Sequence, residues 1–266
     1  MSSANELAGL VDTHVHLDAL GDDGPALLQA AVDAGVVAML GNGVDPRTPA
    51  VLKGRVPEGL TVRYAVGLHP QELPHLDDDA VEAAFAALQA RLDSEADIVA
   101  VGECGLDARP GIGDDDDKRR RQHGVFRRHL AICRQRALPL IVHGVRRDGP
   151  LLQELADDLG THGPLPAGGV WHGFSASKDT MKLAVGHGLH IAVGFMALNN
   201  KARRLHEALP AIPDDRLLVE TDAPPLHPAR LIEVIAALAA ARGTSPQAVA
   251  ELTARNARRL FRFEDR

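Results

Sequence analysis

Short apolar runs alternate along this chain with longer stretches in which apolar residues recur every three or four positions. The short runs predict strands at Gly9–Thr13, Val36–Gly41, Thr61–Val66, Ile98–Gly102, Leu140–Val142, Gly168–Trp171, His190–Val193 and Leu217–Glu220. The longer stretches predict helices near Pro25–Ala34, Arg47–Gly54, Asp78–Ser94, Lys118–Arg136, Gly149–Leu159, Lys178–His187, Lys201–Leu209 and Pro228–Arg242. A strand followed by a helix, repeated in this way, implies parallel βαβ units. That many units in 266 residues favour closure into a TIM-type (β/α)8 barrel over an open sheet. One more helix is expected near Ser245–Leu260, with Ser245 as its N-cap and Pro246 at the first helical position. It should pack outside the barrel or plug one end. No linker-like tract interrupts the pattern, so residues 1–266 read as a single domain.

Composition narrows the class. The chain is 45% hydrophobic and 24% charged, which supports a sizeable core. Aromatics make up 3%, so Ala, Val and Leu must fill most of it. A net charge of −7 argues against a protein that coats nucleic acid through a broad positive field. It leaves room for a phosphate substrate held at a metal site, where cations supply the local charge. Two cysteines, Cys104 and Cys133, are too few for a disulfide scaffold and suit a reducing compartment. The start, MSSANELAGL, has neither the basic nor the apolar region of a signal peptide, and no apolar run approaches a membrane span. A cytoplasmic location with no membrane partner is the expectation.

The chemistry gathers at strand ends. His14 and His16 are two apart, so on a strand they share a face and can chelate one divalent ion. Glu103, His143, His172 and Asp222 each follow a predicted apolar strand, at the edge where barrel enzymes carry their catalytic groups. A carboxylate or imidazole there is costly unless paired or ligated. Six such groups suit two divalent ions: His14, His16, Glu103 and Asp222 for one, and Glu103, His143 and His172 for the other. Glu103 would span both. Mixed His and carboxylate ligands accept Zn, Mn, Fe, Co or Ni, and Mg less readily.

Seven segments in order then resemble the TatD-type deoxyribonuclease family of metal-dependent hydrolases. They are DTHVHLD at Asp12–Asp18, GLHP at Gly67–Pro70, VGECGLD at Val101–Asp107, LPLIVH at Leu138–His143, WHGFSAS at Trp171–Ser177, ETDAP at Glu220–Pro224 and NARRLF at Asn256–Phe261. The resemblance implies the barrel, the metal site and hydrolysis of phosphodiester bonds, usually in DNA. It supports the same division of ligands. The family's usual His-x-Arg-x-Ala after the fifth strand is replaced by His143-Gly144-Val145-Arg146-Arg147-Asp148. Gly173 and Ala176 stand where the family usually has Cys and Gly. These departures spare every candidate ligand and fall in loops that would meet substrate.

Other residues take supporting roles. Asp222, touching a metal and a water, would collect the water's proton as general base. His69 would donate to a substrate phosphate. Arg146 and Arg147 offer guanidinium forks to phosphate, with a solvated loop as the equal alternative. Glu220 and Asp12 are expected behind the ligands, orienting them. Ser175 is expected to cap the following helix. The acidic run at Asp114–Asp117 reads as a loop and helix cap. DNA or another phosphodiester is the expected transient partner, with a monomer favoured. The rival readings are an amidohydrolase or ester deacylase on the same barrel and a non-catalytic metal-binding barrel.

Overall fold

The computed structural model describes residues 7–48 and 55–263. Its strands are β1 (Leu10–Val15), β2 (Val36–Asn42), β3 (Thr61–Val66), β4 (Ile98–Asp107), β5 (Leu140–Val145), β6 (Gly169–Trp171), β7 (Leu189–Val193) and β8 (Leu217–Val219). Its helices are α1 (Gly24–Asp33), α2 (Asp78–Ser94), α3 (Asp116–Arg136), α4 (Asp148–His162), α5 (Lys178–Gly186), α6 (Arg203–Ala208), α7 (Leu231–Arg242) and α8 (Pro246–Phe261). The strands are all parallel and pair in sequence order from β1 to β8. The ring closes where β1 meets the segment after β8. There Asp222 N donates to His14 O at 3.0 Å, and His16 N donates to Ala223 O at 2.9 Å. The Thr13 hydroxyl adds a bond to Val219 O at 2.9 Å. The expected TIM-type barrel is the observed fold.

Two apolar layers follow from the period-two pattern of the strands. One face of each strand turns inward. Val11, Ala38, Leu40, Ala65, Ala100, Ile141, Val170, Ala192 and Leu218 form the interior cluster, with alanines filling space that aromatics cannot. The other face packs under the helices, against residues such as Phe85, Phe126, Leu155 and Leu238. A buried leucine in this layer contributes about 2 kcal/mol. α8 runs along β1 and β8. It brings Ala254, Ala257, Phe261 and the following Phe263 onto the interior cluster, so it plugs the end at which the strands begin. Asn256 fastens it there by donating to Asp214 O and Leu217 O at 2.7 and 2.9 Å.

Caps explain several helix starts. Asp77, Asp115, Ser177 and Ser245 each accept from the backbone N–H three residues on. Ser177, not Ser175, therefore caps α5, because its hydroxyl sits one position before the first helical turn. Asp114 closes the preceding loop onto Gly111 N at 2.8 Å, and Lys118, Arg119 and Arg120 pair with the acidic run. That run is a cap and a set of surface pairs.

Some boundaries differ from the pattern-based ones. β4 runs to Asp107 and β5 to Val145, so Glu103 and His143 lie inside strands rather than after them. α6 is shorter than the Lys201–Leu209 stretch, since Leu209–Ala211 tightens into a 3-10 turn at Pro210. Of the helix expected at Arg47–Gly54, Arg47 and Thr48 lie in a turn and the rest falls outside the described residues.

Candidate metal centre

The carboxyl end of the barrel gathers the six candidate ligands and His69. β1 ends by projecting His14 and His16, whose Nε2 atoms stand 3.4 Å apart. Glu103 Oε2 lies 3.2 and 3.6 Å from those two atoms. Asp222 Oδ1 lies 3.8 and 3.5 Å from them. The other oxygen of Glu103 faces the opposite way. Oε1 is 2.7 Å from His143 Nδ1 and 2.6 Å from His172 Nε2, and those two nitrogens are 3.3 Å apart. One buried carboxylate thus sits between two pairs of imidazoles.

Close backbone approach makes this possible. A Cβ on Gly105 would lie 2.0 Å from His143 O, and one on Gly102 would lie 2.5 Å from Ile141 O. Glycines on either side of Glu103 therefore let β4 press against β5. Asp222 has a φ of +55°, in the left-handed region that Asp tolerates better than most side chains. Its N–H bond to His14 O holds that conformation and ties the carboxylate to the strand bearing the two histidines.

The rear nitrogens of the imidazoles fix which nitrogen faces the centre. His16 Nδ1 donates to Asn42 O at 3.0 Å, leaving Nε2 as the lone pair that faces inward. His143 Nε2 donates to Asp107 Oδ2 at 3.1 Å, so Nδ1 is its inward lone pair. His172 Nδ1 faces Glu220 Oε1 at 3.6 Å, and Glu220 is itself held by Gly173 N. This rear-partner arrangement is the one that orients metal-binding histidines. Asp107 is fully buried, accepts from Arg109 N at 2.8 Å and from Arg109 Nε at 2.7 Å. Sequence reasoning gave it no role.

His69 differs. Gln71 N donates to its Nδ1 at 3.0 Å, so the ring proton sits on Nε2. That Nε2 lies 3.3 Å from Glu103 Oε1 and 3.2 Å from His143 Nδ1. It is a donor aimed at the centre, not a free lone pair. Asp12 does not touch the inward nitrogens. Its carboxylate accepts from Thr221 N and Thr221 Oγ1 at 3.0 and 2.5 Å and from His14 N at 3.3 Å, clamping β1 to the Asp222 segment. Arg147 places a guanidinium nitrogen 3.3 Å from Nε2 of His123, a residue of α3. Arg146 is exposed, with a φ of +56°. The structure thus brings the six ligands and His69 together, keeps Asp12 and Glu220 behind them, and holds Arg147 on a different partner.

The electrostatics follow from burial and Glu103. Burial opposes charge on every group here. At His14 it prevails, with His172 adding to it, and holds the imidazole below its usual range. Burial likewise pushes His69 down to about 4. At His143 and His172 the carboxylates outweigh burial: Asp107 and Glu103 raise the first, and Glu103 and Glu220 raise the second well above the ordinary value. Glu103 is held well below the carboxylate range despite burial, because His172, His69 and His14 surround it. Asp222 is also lowered, burial being outweighed by His16 and His14.

The donor set fits a divalent metal. His14, His16 and Asp222 offer ligand atoms within 4.8 Å of one another, as do His14, His172 and Glu220. Glu103 Oε2, buried, has no hydrogen-bond partner. Neutral imidazoles with inward lone pairs around a carboxylate want a cation in their midst. A parallel eight-stranded barrel carrying such a cluster at its carboxyl end defines a metal-dependent hydrolase barrel.

Comparisons place the chain within that class. The model of the TatD related DNase family matches residues 11–262. The chain is 33% identical over 267 aligned positions to an uncharacterized metal-dependent hydrolase TatD of Mycobacterium tuberculosis, covering 95% of this chain and 97% of that protein. It is 32% identical to the 3'-5' ssDNA/RNA exonuclease TatD of Rahnella sp., covering 75% and 77%. The crystal structure of YjjV, a TatD homologue from Escherichia coli, superposes with a TM-score of 0.83 at 29% identity, covering 96% and 98%. The chain belongs to the TatD related DNase family of metal-dependent hydrolases. No helix of the described residues is long and apolar enough to cross a membrane.

Proposed function

We propose that this hydrolase cleaves phosphodiester bonds in nucleic acid, with single-stranded DNA as the foremost substrate, using two divalent ions. His14, His16, Glu103 and Asp222 would hold one ion, and Glu103, His143 and His172 the other. The observation that carries the reading is the division of Glu103, whose Oε2 faces His14 and His16 while its Oε1 faces His143 and His172. Two divalent ions held a few ångströms apart activate water and offset charge on a phosphoryl centre.

The chain's own residues divide the remaining work. Asp222 is the most solvent-open carboxylate of the cluster, 18% exposed, and its low pKa keeps it free to accept a proton from water. His69 donates its Nε2–H toward a substrate oxygen. Arg146, exposed at the end of β5, offers its guanidinium to a flanking phosphate. Arg147 lends a second positive charge from beside His123. Asp107 and Asn42 O hold His143 and His16 in the required tautomers, and Glu220 faces the rear of His172. Binding to DNA is weak and transient, since the net charge of −7 provides no broad attractive field.

The test compares wild type with Glu103→Ala on single-stranded DNA and on bis-p-nitrophenyl phosphate, with and without Mn²⁺ or Mg²⁺. Metal-dependent cleavage that disappears in the variant supports the proposal. A folded, metal-loaded wild type inert on both substrates refutes it and moves attention to carbonyl esters and amides.

A further inference from the structure

The strand-start end of the barrel, opposite the metal centre, holds a cavity of about 420 Å³. It lies among the residues that precede β5, β6 and β8 and the end of α8. Arg216, Arg259 and Arg262 line it, with Asp215 as the one acid. The described lining thus carries more positive than negative charge, in a chain whose net charge is −7. Asp215 lies 3.5 Å from Arg216 Nε and is itself 62% exposed, so that pair is loose. Arg259 donates one bond to Asp215 O at 3.3 Å. Among the described residues neither Arg259 nor Arg262 has an acidic partner.

A buried imidazole completes the lining. His190, 5% exposed, donates from Nδ1 to Gly169 O at 3.2 Å. Its Nε2 then carries the lone pair, is buried, and has no partner. Burial, with Arg216 and Arg259 adding to it, pushes the ring down to about 4, so Nε2 stays an acceptor. A buried acceptor left without a partner is destabilising.

We propose that this cavity is a binding site for a phosphomonoester, built from the guanidiniums of Arg216, Arg259 and Arg262 and the open Nε2 of His190. The chemistry selects that ligand. Guanidinium forks match phosphoryl oxygens, and the O–H that a phosphomonoester keeps below its second pKa of about 6 donates to Nε2. A carboxylate or sulfate would bring no such proton and would set a lone pair against a lone pair. The faces of Pro139 and Pro166 form apolar walls beside the charges, and the volume suits a mononucleotide rather than an oligomer. The site is independent of the metal centre, since none of its residues touches that cluster.

The experiment is calorimetric titration of the full-length protein, stripped of metal by chelation, with 5'-dAMP and separately with inorganic phosphate. Arg216→Gln and Arg259→Gln variants are titrated in parallel, with circular dichroism to confirm folding, and so is Glu103→Ala. Saturable binding that weakens at least tenfold in each arginine variant and survives Glu103→Ala is expected. Tighter binding of 5'-dAMP than of inorganic phosphate supports the phosphomonoester site, and tighter binding of inorganic phosphate overturns it. Absence of saturable binding overturns the proposal. Binding that ignores the arginine variants, or that Glu103→Ala abolishes, overturns it as well. The metal-centre reading is judged by cleavage and is untouched by either result.

Discussion

Removing the carboxylate behind His143 should loosen the metal centre without touching any ligand. Asp107 accepts the Nε2–H of His143 at 3.1 Å and is held in turn by the backbone N–H and side chain of Arg109. A hydrogen bond to a charged group contributes about 1.5–3 kcal/mol, against about 0.5–1.5 kcal/mol for a neutral pair. Asp107→Asn keeps an oxygen in place and loses the charge, roughly 1 kcal/mol or five- to tenfold in metal affinity. Asp107→Ala also frees the imidazole to rotate, and about 2–2.7 kcal/mol, or roughly 30- to 100-fold, is expected. Arg109 is 44% exposed, so its lost partner adds little. Metal affinity is measured by competition with a chelating dye, and kcat/KM on a phosphodiester is measured at saturating and limiting metal. The Asn variant should fall between wild type and the Ala variant, and excess metal should restore much of the activity of both. Metal affinity within twofold of wild type in Asp107→Ala would refute the positioning role.

Three further outcomes are expected. Burial holds His129 near 4 while its Nε2 accepts from Leu68 N and its Nδ1 donates to Val125 O. Its folded pKa is below the unfolded value of about 6.5, so its stability is full above pH 6.5 and is lost as pH falls toward 4, about 3 kcal/mol in all. Urea midpoints measured from pH 7 to 4 should show that loss, and His129→Leu should flatten it while lowering stability at pH 7 by about 1–3 kcal/mol for the unpaired Leu68 N–H. Gly105→Ala should destabilise by more than about 3 kcal/mol, read as a fall in thermal midpoint, because its Cβ would overlap His143 O. Chelation should abolish activity and lower the thermal midpoint by roughly 5–10 °C, since a ligand present at a hundred times its Kd stabilises by about 2.7 kcal/mol; an unchanged midpoint would deny the cluster a tightly held ion.

The barrel and most of its site could be read from the chain because its signals are local. α2 runs from Asp78 to Ser94 in both readings, where an acidic cap and an amphipathic stretch agree. His14 and His16 declare a shared face by their spacing alone. Asp107 was missed because the predicted strand stops at Gly102, whereas β4 continues through Gly102 and Gly105, both at positive φ, to Asp107. Once β4 runs on, Glu103, Gly105 and Asp107 share one face by the same period-two rule, and that was the available signal. Arg147 could not be placed from the pattern, because its partner His123 lies 24 residues away on α3. The tautomer of His69 depends on the backbone N–H of Gln71, which no side-chain motif announces.

The clamp between Asp12 and Thr221 joins positions 209 residues apart. A ribosome making this chain therefore releases His14, His16, Glu103, His143 and His172 long before Asp222 and the threonine that anchors its segment. Half-made chains carry most of the metal-binding groups yet have no ring to hold them in register.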